Sequence, residues 1–182
     1  MLDSDHVDKI KNNLNNIQSG ACELPDGKPS RAFKKDIHAD IFNGDNCKIT
    51  ASVSGFDVKM DEPIDNGGDD SAPTPVDMLV SAISGCLHLT FSIFCALSGV
   101  SLEELHTEAE ATIDRRCLLG NLDKYPPRLD SIHIKVMCSS DESEDKLLAI
   151  LEKAHRSCPV GGSLHPDIKS TFELKCYSTD AC

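Results

Sequence analysis

Two cysteines stand where sulfur chemistry could be done in this sequence. Cys86 lies near the middle of the stretch Pro73 to Gly99, PTPVDMLVSAISGCLHLTFSIFCALSG, and Cys158 lies in SCPVGGSL, much further along. A cysteine is nucleophilic only as its thiolate, and a thiol near a helix N-terminus ionises more easily because unpaired backbone N–H groups favour the anion. Pro159 suits the first position of a short helix, which puts Cys158 near its cap. Each cysteine also has a plainer reading. Inside an apolar helix a cysteine packs as a small hydrophobe, and at a turn it needs no role. Cys95 is the internal control, because nine steps of about 100° put it on the opposite face of the helix from Cys86.

Other chemistries fit less well. Cys86 and His88 are two apart on a helix and cannot face one metal ion together, whereas His155 and Cys158, three apart, can. Without a CxxC pair, zinc is the weaker reading. The loop DEPIDNGGDDS, Asp61 to Ser71, is acidic but lacks the regular ligand spacing of a calcium site and reads as a solvated loop. No phosphate loop, dinucleotide glycine pattern or Ser-His-Asp signature is present. The residues imply no metal and no cofactor.

The totals narrow the class. The chain has 182 residues and a net charge of -12, which argues against nucleic-acid binding, since phosphates need a basic surface. A chain of this length can bury a core without disulfides or metal. Its 9 cysteines are an odd number without close framework spacing, and MLDSDHVDKIKNN is too polar for a targeting sequence. The expectation is a cytoplasmic protein with mostly reduced thiols. The apolar stretch around Cys86 is long enough to span a membrane. However, Ser81, Ser84, Gly85, His88, Thr90 and Ser92 interrupt it, and the flanks are acidic, so no membrane is expected.

The elements that must position the cysteines are legible. Thr74 caps a helix, Pro75 takes its first position, and Asp77 completes a capping box; Gly99 is the C-terminal stop. A helix of about 24 residues is about 36 Å long. Apolar residues all round it predict burial on most sides. Before it come an amphipathic helix over residues 3–18, a breaker-rich loop over 20–30, and three alternating runs. These are Ile37-Ala39-Ile41, Ile49-Ala51-Val53 and Phe56-Val58-Met60, a period-two pattern for an antiparallel meander. After it come strands at 106–113 and 131–138, joined by the long connection 114–128. Then comes a helix capped by Asp141, with Leu147, Leu148, Leu151 and Ala154 on one face, ending at Cys158-Pro159. A last strand covers 170–177. The order β-β-β-α-β-β-α-β is α+β, with antiparallel sheets wrapped on a long central helix and a second helix. Residues 1–30 read as an extension and 31–182 as the domain.

Three groups of residues also carry a family likeness. They are Pro73-x-Pro75-x-Asp77-x-Leu79 leading to Ser84-Gly85-Cys86-Leu87; Gly99-Val100-Ser101-Leu102 before a strand; and Ser157-Cys158-Pro159-Val160 with Leu164 beyond. On these the chain resembles the OsmC/Ohr family of thiol-dependent hydroperoxide reductases, over about residues 36 to 176. RCLLGNLDKYPPRLDSI, Arg116 to Ile132, looks like the OsmC-like branch. The resemblance implies an OsmC-like fold, an intertwined homodimer with its central helices packed together, and a site at the interface. It implies that Cys86 attacks an organic hydroperoxide, that the sulfenic acid condenses with Cys158 to a disulfide, and that an external dithiol restores both. In the family's better-known peroxidases an Arg, held by a Glu near the start of the central helix, stabilises the thiolate. Asp77 matches the carboxylate, as the shorter acid. No arginine matches, and Arg31, Arg115, Arg116, Arg128 and Arg156 are the ones that could reach in. Two alternatives stay open: a dithiol redox protein without efficient peroxide turnover, and a non-enzymatic dimer that binds a small apolar ligand.

Overall fold

Period-two alternation puts β1 (Ala39–Asn43), β2 (Ile49–Val53) and β3 (Phe56–Met60) into an antiparallel meander, as the sequence predicts. In this computed structural model residues 2–19 and 36–177 are described. The chain forms two compact units, Asp8–Leu79 and Val80–Cys182 with Met1–Val7. The expected boundary at residue 30, with Cys22 and Arg31, lies outside the described residues, as does Cys182.

In the first unit, Val53 pairs with Phe56 across a two-residue turn. Ser54 and Gly55 both have positive φ, 53° and 84°, which matches the right-handed strand twist. β1 is exposed along its whole length, with Ile41 and Phe42 more than half uncovered (56% and 58%). The acidic loop is not simply solvated. Asp61 is buried, and its carboxylate accepts hydrogen bonds from the Ser71 hydroxyl (2.7 Å) and from the backbone N–H groups of Glu62 (2.8 Å), Ser71 (3.0 Å) and Asp69 (3.2 Å). The Ser71 hydroxyl, with the backbone donors behind it, holds the Asp61 pKa down at about 2. The loop winds so tightly that a Cβ at Gly68 would collide with the Glu62 carbonyl oxygen. α1 (Ser4–Ser19) matches the expected amphipathic helix.

The long helix α2 (Pro75–Leu97) starts and stops where the sequence says. Asp77 accepts from the Thr74 N–H (2.9 Å) and hydroxyl (2.7 Å), and the Asp77 N–H donates to the Thr74 hydroxyl (3.2 Å). This is the reciprocal capping box. At the other end Gly99 is left-handed (φ 71°), the Val100 N–H reaches the Cys95 carbonyl (2.9 Å), and the Gly99 N–H reaches that of Ala96 (3.2 Å). These are the two bonds of a Schellman motif.

The second unit builds its core on one sheet face. β4 (Glu104–Ile113) pairs antiparallel with β5 (Leu129–Ser139), and β5 pairs with β6 (Lys169–Tyr177). The β5–β6 pair is parallel, which corrects the expectation of antiparallel sheets throughout. Parallel neighbours need a crossover, and α3 (Glu144–Ser157) supplies it. Ile132, Ile134, Val136 and Cys138 of β5 are buried, as are Leu147, Ile150, Leu151 and Ala154 of α3. Ile150 takes the core position expected of Leu148, which is exposed. Asp141 does not cap α3: the helix begins three residues later, with Ser143 in the cap position and no side-chain capping bond. α2 buries one stripe, Ile83, Leu87, Phe91 and Cys95, and not most of its sides; Leu89 is 64% exposed. By length and composition alone α2 could cross a membrane. Its apolar residues outnumber the positions one chain covers.

Candidate active site

Cys86 sits on α2 at the margin of the buried stripe, half-exposed, while Cys158 is buried at the C-cap of α3. Remote in sequence, the two thiols meet in the second unit. Burial pushes the Cys158 pKa up, and a side-chain hydrogen bond with Cys86, together with its charge, pushes it further. The Gly161 N–H donates to the Cys158 sulfur (3.3 Å), and the Val160 N–H also favours the anion, but these do not offset burial. The sequence expectation of an easily ionised Cys158 is therefore corrected. The residues after it do form a short helical turn, Gly161–Ser163, yet Cys158 stays a protonated donor beside Cys86. The backbone donors expected near Cys158 are those of Val160 and Gly161; what the sequence did not show is the burial that outweighs them.

Around Cys86 the surface is apolar. Ala82 and Leu89, a turn before and a turn after it, share its face of the helix and are exposed. The control holds: Cys95 is 1% exposed, and burial lifts its pKa to about 12. His88 faces away from the thiols. Its Nδ1 meets the Thr107 hydroxyl (2.9 Å), and burial, then His106, lowers its pKa. His155, three before Cys158, lays its ring against Phe172 with centroids 4.7 Å apart. A cavity of about 410 Å³ opens beside His88, His106, Glu104 and Tyr177, and neither Cys86 nor Cys158 lines it.

Asp77 bonds only within its capping box among the described residues. The arginines that could replace the missing guanidinium are partly accounted for. Arg116 forks onto Asp114 (2.6 Å) and lies over the Tyr125 ring (4.1 Å), and Arg128 pairs with Asp167 (2.8 Å). Arg115 and Arg156 are exposed.

Solved structures share this fold. An OsmC-like protein from Mycoplasma pneumoniae is 16% identical with a TM-score of 0.69, covering 79% of this chain and 99% of that one. An organic hydroperoxide resistance protein from Elizabethkingia anophelis is 15% identical with a TM-score of 0.62, covering 79% and 98%. An organic hydroperoxide resistance protein OsmC from Legionella pneumophila is 12% identical with a TM-score of 0.59, covering 78% and 97%. No curated protein matches the sequence. The family model for OsmC-like protein matches residues 68–173, more than half of the chain and both cysteine stretches, so the chain belongs to the OsmC-like protein family.

Proposed function

We propose that this protein is a thiol peroxidase that reduces organic hydroperoxides with Cys86 and Cys158. The observation that carries the reading is the meeting of a half-exposed thiol on α2 with a buried, protonated thiol at the end of α3. The Cys86 thiolate attacks one peroxide oxygen, the O–O bond breaks, and the departing alkoxide takes up a proton to become an alcohol. Cys86 is left as a sulfenic acid. The Cys158 sulfur then displaces its hydroxyl, which leaves as water, and a disulfide forms. An external dithiol returns both thiols by exchange. The apolar flank of Cys86 at Ala82 and Leu89 suits an organic rather than a fully polar peroxide. The uncovered apolar positions of α2 support a homodimer in which a second copy closes over this flank. Names given to the structurally similar proteins from Elizabethkingia and Legionella agree with the reaction class.

A second reading keeps the dithiol without efficient peroxide turnover. It is favoured by the engagement of Arg116 and Arg128 with their own carboxylates. One experiment separates the two: cumene hydroperoxide is added to the reduced protein with excess dithiothreitol, and peroxide loss is followed. Multiple turnovers at a rate that Cys86→Ser cuts by more than about 100-fold support the peroxidase. No peroxide loss, together with formation of the Cys86–Cys158 disulfide when the reduced protein is treated with a small disulfide in the absence of dithiothreitol, supports the second reading.

A further inference from the structure

The inner face of the β4-β5-β6 sheet carries another pair of thiols. Phe172, Leu174 and Cys176 of β6 turn inward in register with Ile134, Val136 and Cys138 of β5. Cys138 and Cys176 are direct partners across the parallel ladder, so their side chains leave neighbouring strands side by side on the same face. Cys138 is fully buried and Cys176 only partly. We propose that Cys138 and Cys176 are a second redox-active dithiol, which an organic hydroperoxide oxidises at Cys176 to a labile intrachain disulfide.

The arrangement repeats that of Cys86 and Cys158: one thiol reachable from outside, one sealed beneath it. The two sulfurs are in hydrogen-bonding contact. Cys138 is the donor, because burial, and then Cys176, raises its pKa to about 12; burial raises the Cys176 pKa as well, and the bond from Cys138 works against that rise. Cys95 of α2 is buried in the same core, near enough for its charge to be felt at Cys138. Cys176, the more exposed of the two, takes the oxidant. Its thiolate attacks a peroxide oxygen, the alcohol leaves, and Cys176 becomes a sulfenic acid. Cys138 then gives the disulfide and water, two thiols and one hydroperoxide being consumed in all.

Ladder geometry makes this bond a reversible one. Neighbouring strands lie about 4.7–4.9 Å apart, and side chains at paired parallel positions stand nearly parallel. A relaxed disulfide wants its Cβ atoms about 3.5–4.5 Å apart. Closing the bond pulls the strands together, and strained disulfides are the easily reduced ones. This proposal does not rest on the chemistry of Cys86.

The test uses a full-length Cys86→Ser/Cys158→Ser/Cys182→Ser variant, in which the first pair and the cysteine sharing a tryptic peptide with Cys176 are gone. The reduced protein is treated with excess cumene hydroperoxide, free thiols are alkylated, and tryptic peptides are mapped. Expected is a linked Cys138–Cys176 peptide that becomes the main form of both cysteines, disappears with dithiothreitol, and is absent after the further change Cys176→Ser. The proposal is overturned if both cysteines stay alkylatable, or if Cys176 is overoxidised without linkage to Cys138. The same map on the wild-type protein, treated with excess oxidant, gives a second reading that does not depend on the variant folding.

Discussion

Cys86 and Cys95 lie on one helix, yet one faces a partner thiol at the surface and the other is sealed in the core. Cys86 is half-exposed and touches Cys158, whereas Cys95 is 1% exposed with its pKa raised to about 12 by burial. Residue type is the same in both places. What differs is which strip of α2 the sheet and α3 cover, and that is fixed by the half-turn between them. Reactivity here is decided by exposure and by the neighbouring donor, not by the presence of sulfur.

The largest effect separates the two positions outright. Cys86→Ser should cut hydroperoxide turnover by more than about 100-fold, since only a thiolate attacks the O–O bond, while Cys95→Ala leaves it unchanged. Peroxide-consumption rates of the two variants decide this. Next, Cys158→Ser in a Cys176→Ser background should consume one hydroperoxide per chain and stall with a sulfenic acid on Cys86, when assayed without added thiol. A sulfenic-acid-trapping dione detected by mass spectrometry reads the outcome, and undiminished turnover would remove Cys158 from the mechanism.

The sealed side makes a pH prediction. The folded state holds Cys95 and Cys138 protonated until about pH 12, whereas in the unfolded chain they ionise near pH 8.5. Between those values the folded state binds more protons than the unfolded one, so stability should fall as pH rises from about 9 towards 12. Melting curves across that range check the slope, which Cys95→Ala should reduce. At neutral pH the same change should cost about 1–2 kcal/mol for the lost packing. Smallest is the cap: Asp77→Ala should cost about 1 kcal/mol of stability and leave the peroxide rate within about twofold. A large loss of rate with normal stability would instead return Asp77 to the site.

What was legible in the sequence was local. Thr74, Pro75, Asp77 and Gly99 bracket α2 through contacts a few residues long, and the meander follows from alternation with Ser54-Gly55 at a turn. The pairing of Cys86 with Cys158 was implied only by the resemblance to the OsmC/Ohr family, and neither cysteine stretch implies it alone. The misses were non-local. Nothing in residues 129–139 or 169–177 says that they run parallel; that direction follows from the crossover through α3. Asp141 looked like a cap because it precedes an apolar periodic run, but β5 extends to Ser139 and the helix starts later. Cys158 was expected to ionise easily from its place beside a turn, but burial outweighs the two backbone donors. The inward register of Cys138 and Cys176 needs the parallel ladder and was invisible before it.

The central claim is that Cys86 and Cys158 act as one redox pair, and the most direct measurement is a disulfide map after a single equivalent of cumene hydroperoxide. The reduced wild-type protein should yield a Cys86–Cys158 linked peptide as its main product, with Cys95 still a free thiol. If the peroxide is consumed while Cys86 and Cys158 remain separately alkylatable, or if neither is oxidised, the account is contradicted.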